Sequence, residues 1–304
     1  MNTVNQSVGK HYALYHGDSC EVLQSIPDES IHFSVFSPPF ASLYAYSNSD
    51  RDLGNCKSDD EFYTHFGFII AQLYRTMMPG RNVSIHCMDI PAMKERDGYI
   101  GLKDFPAKLR SLFEHAGFIY HGKTIIWKDP LIEATRTKAL GLMHKQLCKD
   151  SAICRSGLPD YLLTMRKPGV NREPVTHESG LDDYVGTNPP RGGVLSHEIW
   201  RKYASPIWMD INQSNTLQKK SARDSNDERH ICPLQLDVIE RAIQLWTNEG
   251  DTVLTPFAGI GSEVYVALKT GRRGIGIELK ESYYRQAVKN CESVDAGRGQ
   301  QELF

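Results

Sequence analysis

The sequence predicts an α/β fold built on a mostly parallel sheet, and three observations predict it. A short apolar run, Thr252 to Leu254, passes through the glycine turn Thr255-Pro-Phe-Ala-Gly-Ile-Gly-Ser262 into a helix-like run, Glu263 to Thr270. A second apolar run, 273 to 278, follows that helix and ends at an acid, Glu278. Earlier in the chain, strand-like runs alternate with helices that carry one apolar stripe, the pattern of crossover units.

Composition sets the bounds. The chain has 304 residues, enough for one large domain or a domain with a subdomain. An apolar fraction of 40% and a charged fraction of 24% read as soluble and globular. No apolar run reaches membrane-spanning length and no signal segment opens the chain, so a cytoplasmic location is expected, with no membrane partner. The seven cysteines are scattered without a Cys-x-x-Cys pair, which fits reduced thiols. The net charge of −2 argues against non-specific coating of nucleic acid, but the charge is uneven. Residues 123 to 173 hold ten Lys or Arg against five Asp or Glu, which suits either a solvated surface or a DNA-facing one.

The elements follow in order. Residues 1 to 10 read as a disordered start. Tyr12 to Tyr15 reads as a strand, and Asp18 precedes Ser19 to Leu23 as a helix N-cap. Ile31 to Phe36 is a buried strand ending at Ser37-Pro-Pro-Phe40. Tyr44 and Tyr46 follow in a polar loop. Ser58-Asp-Asp-Glu61 is a capping box, and Phe62, Phe66, Ile69, Ile70, Leu73 and Met77 lie on one stripe of the helix it starts. Asn82 to Cys87 is the next buried strand. His86, Cys87 and Asp89 lack a second ligand pair, so they read as structural and no metal is expected. Leu102 to Ala116 reads as a helix, Phe118 to Trp127 as a strand, 130 to 149 as an amphipathic helix, and 160 to 167 as a strand. Residues 170 to 229 lose periodicity. A helix from Leu236 to Trp246, with Leu236, Ile239, Ile243 and Trp246 on one stripe, precedes the glycine turn. A last helix runs from Glu281 to about Cys291.

The glycine turn is the natural place for a nucleotide-like ligand. Gly259 and Gly261 let the backbone approach where a Cβ would obstruct, and Glu278 can accept hydrogen bonds from both hydroxyls of a ribose.

With Ser37-Pro-Pro-Phe40 after one strand and Phe257-Ala-Gly-Ile-Gly261 after another, the chain resembles the amino-methyltransferases of DNA. The order of the two motifs is similar to that of the permuted β group. The resemblance covers roughly residues 12 to 90 and 230 to 290 well and the middle poorly. It implies a Rossmann-like methyltransferase fold. The sheet would be mostly parallel and seven-stranded with an antiparallel edge hairpin, circularly permuted, and would carry a target-recognition insertion. The implied division is 11–127 for the catalytic half, 128–158 for a helical insertion and 159–169 for the sheet-closing strand. Residues 170–229 would be the target-recognition region, 230–294 the cofactor-binding half and 295–304 a disordered tail.

The resemblance also implies a reaction: transfer of a methyl group from S-adenosyl-L-methionine to N4 of cytosine or N6 of adenine in a flipped base. Ser37 and the carbonyl of Pro38 would accept hydrogen bonds from the amine. Pro39 would stiffen the loop, and Phe40 would stack on the base. Asp18, Thr255, Pro256, Phe257, Ala258, Gly259, Gly261, Ser262, Glu278, His230 and Pro233 match cofactor positions. Lys138, Lys145, Lys219, Lys220 and Arg223 suit phosphate contacts. The implied partners are double-stranded DNA, a second copy in a homodimer and a cognate restriction endonuclease.

Two departures stand out. Thr255 replaces the usual Asp, so Glu263 substitutes, the cofactor sits atypically, or the cofactor is modified. Ser rather than Asp at position 37 leans toward cytosine N4. A methyltransferase acting on RNA or a small molecule, and a non-catalytic DNA- or cofactor-binding module, are the competing readings.

Overall fold

The structure is a computed structural model that describes residues 3–39, 52–56, 58–137, 143–152, 154–177, 180–181, 196–218 and 233–301. The amino end forms β1 (Asn5–Val8), β2 (Tyr12–His16), the short helix α1 (Ser19–Val22) and β3 (Ile31–Phe36). Helix α2 (Asp59–Thr76) leads directly into β4 (Met77–Cys87). A small separate sheet of β5 (Ile90–Ala92) and β6 (Gly101–Lys103), with α3 (Lys94–Asp97) between them, precedes α4 (Phe105–His115) and β7 (Ile119–Ile126). There follow α5 (Pro130–Thr137), α6 (His144–Leu147), β8 (Asp160–Arg166), α7 (Ser196–Tyr203) and β9 (Ile207–Trp208). The carboxyl part holds α8 (Leu236–Trp246), β10 (Thr252–Thr255), α9 (Ser262–Lys269), β11 (Arg273–Glu278) and α10 (Glu281–Gln301).

The main sheet has nine strands in the order β1-β2-β11-β10-β3-β4-β8-β7-β9. Strands β2, β11, β10, β3 and β4 are mutually parallel. Strand β8 runs antiparallel to both β4 and β7 and closes the far side as a hairpin. The expected sheet of seven strands is therefore present, from β2 to β7. Short strands extend it at each edge, with β1 antiparallel to β2 and β9 parallel to β7.

Each face buries its own helices. On one side Phe36, Val83, Ile85, Leu163, Met165 and Leu254 pack with the apolar stripes of α2 and α4. On the other, Phe33, Val35, Leu162 and Val253 pack under α8 and α9. Strand periodicity alone would put Ile31 with Phe33 and Val35. A register irregularity between Ile31 and Phe33 moves it to the α2 side. The helix after β10 covers one face and the helix after β3 the other, so the connections diverge between those two strands. That divergence opens a crevice at their carboxyl ends.

The local signals for α2 match the structure: Ser58 caps it by accepting from Glu61 N at 3.1 Å, and its buried residues include Phe62, Phe66, Ile69, Ile70 and Leu73. Other expectations need correction. The start of the chain is not disordered throughout, because Asn5–Val8 pairs in register with β2. The segment from Asp295 is not a disordered tail as far as Gln301, because α10 continues through it. Asp295 accepts from Lys10 N at 2.8 Å and sits 2.8 Å from His11 Nδ1, which ties the two ends together. Helix α4 starts at Phe105 instead of Leu102. Asp104 caps it through Ala107 N, and Gly101–Lys103 is taken up in pairing with β5. The helix expected over 130 to 149 is two short helices, α5 and α6, with 138–142 outside the described residues. The buried face of α8 is Val238, Ile239, Arg241, Ala242 and Ile243, so Leu236 and Trp246 lie at its margin.

Candidate active site at the carboxyl edge of the sheet

Three loops converge where β2, β10 and β11 end. Asp18 caps α1 by accepting from Cys20 N at 2.8 Å, which fixes the loop after β2. Ser19 Oγ donates to the carbonyl of Pro256, joining that loop to the glycine turn. Gly17 N donates to the Glu278 carbonyl at 3.0 Å and Ala258 N to the Ile277 carbonyl at 2.8 Å.

Within the turn, Gly259 and Gly261 have φ of 51° and 87°. A Cβ at Gly261 would lie 3.0 Å from the Ala287 Cβ, so glycine is needed there for helix packing. A Cβ at Gly259 would meet nothing within 4 Å, which leaves open space over the turn. Ser262 is buried and opens α9. Ala258 and Pro256 are buried beneath the loop. Phe257 is part-buried and packs against the core. Its ring lies 5.7 Å from Phe36 and 6.1 Å from Phe66, so it anchors the turn to the core.

Glu278 reaches back under the turn. Its Oε2 accepts from Gly259 N at 2.7 Å and its Oε1 from Lys280 N at 2.8 Å. Burial raises this carboxyl to about 7, although the N–H groups of Lys280 and Gly259 pull the other way. Glu263 is buried in the first turn of α9, and burial, with the charge of Glu278 nearby, pushes it up to about 8. Thr255 is also buried, and its Oγ1 has no hydrogen-bond partner. An orphaned polar atom, open space over a glycine turn and a carboxylate beneath it fit a polar cofactor with a ribose.

Ser37, Pro38 and Pro39 follow β3 in the neighbouring loop, and Phe36 packing on Phe257 joins that loop to the glycine turn. Ser37 Oγ donates to the His86 carbonyl at 3.4 Å and lies 3.4 Å from His86 Nδ1. His86 Nε2 is in turn 3.1 Å from Asp160 Oδ2, and Lys128 Nζ pairs with Asp160 Oδ1. Burial alone would raise the Asp160 carboxyl, but His86 and Lys128 outweigh it and hold the group below its usual range. Sequence reasoning missed Asp160 and Lys128 and gave His86 only a structural role. The available signal was position: His86 sits near the carboxyl end of a parallel strand, and Asp160 opens the antiparallel strand beside it.

Phe40, Tyr44, Tyr46, His230, Lys138, Lys219, Lys220 and Arg223 lie outside the described residues. Pro233 is part-buried just before α8, and Lys145 is exposed on α6. Burial raises the thiols of Cys20, to about 12, and of Cys87, which favours the protonated form of both.

Among the described residues, one group of His, Cys, Asp and Glu is close enough to share a metal ion: His32, Glu173 and Asp251. Its chemistry is that of an ion-pair knot. Thr252 N donates to His32 Nδ1 at 3.1 Å, so the proton of the neutral ring is on Nε2, which faces Glu173 at 3.0 Å. Buried Arg81 already supplies the cation, 3.2 Å from Asp251.

Comparison with known proteins agrees with this architecture. Type II methyltransferase M.BglI of Bacillus subtilis is 24% identical over 336 residues, spanning 98% of this chain and 90% of that protein. DNA adenine methyltransferase YhdJ of Escherichia coli K12 is 24% identical over 287 residues, spanning 92% of this chain and 82% of that protein. A structure from Thermus thermophilus, a candidate DNA modification methylase complexed with S-adenosyl-L-methionine, superposes with a TM-score of 0.65 at 24% identity. It covers 94% of this chain and 97% of its own. The PvuII DNA methyltransferase (cytosine-N4-specific) superposes with a TM-score of 0.63 at 16% identity, covering 97% of this chain and 95% of its own. The DNA methylase model for N6 and N4 methyltransferases matches residues 31–289, and the chain belongs to that family.

Proposed function

We propose that this protein is a site-specific DNA methyltransferase that methylates the exocyclic amine of a base flipped out of duplex DNA, with N4 of cytosine as its acceptor and S-adenosyl-L-methionine as its cofactor. One observation carries the reading. The Ser-Pro-Pro loop and the glycine turn emerge side by side at one edge of the sheet, joined through Phe36 and Phe257. A methyl acceptor and a methyl donor held in those two loops would face each other.

The cofactor's sulfonium supplies a methyl group with a neutral thioether as leaving group, so no covalent enzyme intermediate is needed. The chain's own residues bind and orient. Glu278, already held by two backbone N–H groups, has lone pairs left for ribose hydroxyls. Thr255 Oγ1 offers an acceptor where the family carries an acid, and Glu263 adds a carboxyl in the following helix turn. Asp18, in the loop after β2, and Ser262, at the start of α9, are assigned to the same cofactor. Ser37 Oγ and the Pro38 carbonyl accept from the amine, which aims its nitrogen and favours a tetrahedral, more basic form. Phe40 stacks on the base, worth about 1–3 kcal/mol against the cost of unstacking. Exposed Lys145 suits a phosphate contact.

Ser37 at the head of the acceptor motif supports cytosine, as does the name of the PvuII neighbour. The name of YhdJ supports a second reading, N6 of adenine. The Type II names among the relatives support pairing with a restriction endonuclease. The test of the base is mass analysis of nucleosides from DNA methylated by the purified protein. N4-methylcytosine is expected, and N6-methyladenine overturns the choice of base.

A further inference from the structure

The row Ser37, His86, Asp160 and Lys128 is not used by the reading above, yet it runs from the acceptor loop into the core. It joins four segments: the loop after β3, the end of β4, the start of β8 and, two residues beyond β7, Lys128. Ser37 Oγ is 3.4 Å from His86 Nδ1, and the opposite ring nitrogen is 3.1 Å from Asp160. His86 is 8% exposed and Asp160 3%. The His86–Asp160 contact is an ion-pair approach without an aligned hydrogen bond. Other ionisable groups near this end of β4 are Cys87, kept as a thiol by burial, and Asp89, which accepts from Tyr161.

We propose that His86 is a positioning residue that acts through Ser37, taking up the proton that the target amine loses during methyl transfer, with Asp160 and Lys128 fixing its ring. The inference rests on the reading that Ser37 accepts a hydrogen bond from the amine. An ionised Asp160 facing Nε2 keeps the ring proton there and leaves Nδ1 as an acceptor, so the Ser37 hydroxyl must turn its one proton from the His86 carbonyl to Nδ1, both 3.4 Å away. As the nitrogen–carbon bond forms and the carbon–sulfur bond breaks, the amine nitrogen becomes cationic and sheds one proton. That proton passes to Ser37 Oγ while the Ser37 proton passes to His86 Nδ1. The products are a neutral methylamine, an intact Ser37 hydroxyl and an imidazolium whose positive charge faces Asp160. A small ring rotation aligns the Nε2 contact once that charge is present, and the proton then returns to water. Long contacts of this kind before substrate binds are ordinary for groups that transfer protons.

The test uses the whole protein and duplex DNA. His86→Asn keeps an amide oxygen or nitrogen near the Nδ1 position, so it can hold Ser37, but it cannot take a proton. The expected result is a kcat lowered at least tenfold, unchanged cofactor affinity by calorimetry, and loss of the acidic limb of the wild-type kcat profile. The double variant with Ser37→Ala is expected to be no slower than Ser37→Ala alone, because both act on one path. A second readout needs neither activity nor a variant. In the cofactor-free wild-type protein, 15N NMR of the histidine rings is expected to show His86 with its proton on Nε2. An unchanged kcat and pH profile in His86→Asn, or a proton on Nδ1 in neutral His86, overturns the relay and leaves the methyltransferase reading standing. No methyl transfer to DNA by the wild-type protein overturns both.

Discussion

The Glu278 carboxylate is hydrogen-bonded to the backbone of Gly259, its Oε2 lying 2.7 Å from the glycine nitrogen across a sequence separation of 19 residues. The bond ties the end of β11 to the turn after β10, so the carboxyl proposed to accept from the ribose is fixed beside the open space over the turn. Replacing Glu278 by Ala is expected to weaken cofactor binding roughly tenfold to a hundredfold, the range for losing a hydrogen bond to a charged group. Calorimetry measures it, and unchanged affinity would remove Glu278 from the ribose site.

The same carboxyl gives cofactor binding a pH dependence. Burial lifts it to about 7 in the free protein, so raising the pH through that value ionises it and makes it a stronger acceptor. Cofactor affinity is expected to increase as pH rises from 6 to 8, with net proton release. In Glu278→Gln this part of the dependence should vanish. Titrations in buffers of different ionisation enthalpy measure the proton release.

Glu263 is expected to make the cofactor-free protein less stable at higher pH. Its folded value of about 8 lies above its ordinary 4.5, so the folded chain holds this proton more tightly than the unfolded chain. The associated stability is complete below about 4.5 and is lost as pH rises through about 8. Glu263→Gln removes the penalty of burying a charge. It should therefore stabilise the protein near pH 9 by on the order of a few kcal/mol and change little near pH 5. Thermal melts across that range decide it, and equal shifts at both ends would contradict the buried-charge account.

Phe257 belongs to the glycine motif in sequence but to the core in structure. Phe257→Ala leaves a hole between Phe36 and Phe66 and should cost about 3 kcal/mol of stability. Urea denaturation measures it. A loss of cofactor affinity with no loss of stability would mean that the ring contacts the ligand instead.

On the acceptor side, Phe40→Ala should leave cofactor affinity nearly unchanged and slow methyl transfer by up to about a hundredfold, the value of one lost stacking contact. Single-turnover rates with saturating cofactor measure it. Normal transfer would take Phe40 out of the base pocket.

Much of this was legible in the sequence because the signals are local. The capping box at Ser58 and the glycine turn at Gly259 and Gly261 are read from neighbours in the chain, and the cap and the positive-φ turn are found there. The parts that were not legible depend on distant partners. The end of α10 is held to the opposite end of the chain through Lys10, His11 and Asp295. Asp160 and His86 are 74 residues apart and meet only because β8 returns antiparallel to β4. Nor could periodicity foresee that Phe257 turns inward while Gly259 leaves space beside it.

The central claim is transfer of a methyl group to an exocyclic amine of DNA. The most direct test incubates the purified protein with methyl-labelled S-adenosyl-L-methionine and either unmethylated duplex DNA or RNA, then separates the nucleosides. Label on an amino-methylated base of the duplex is the predicted result. Label only in RNA, or none in either while calorimetry shows the cofactor bound, would contradict it.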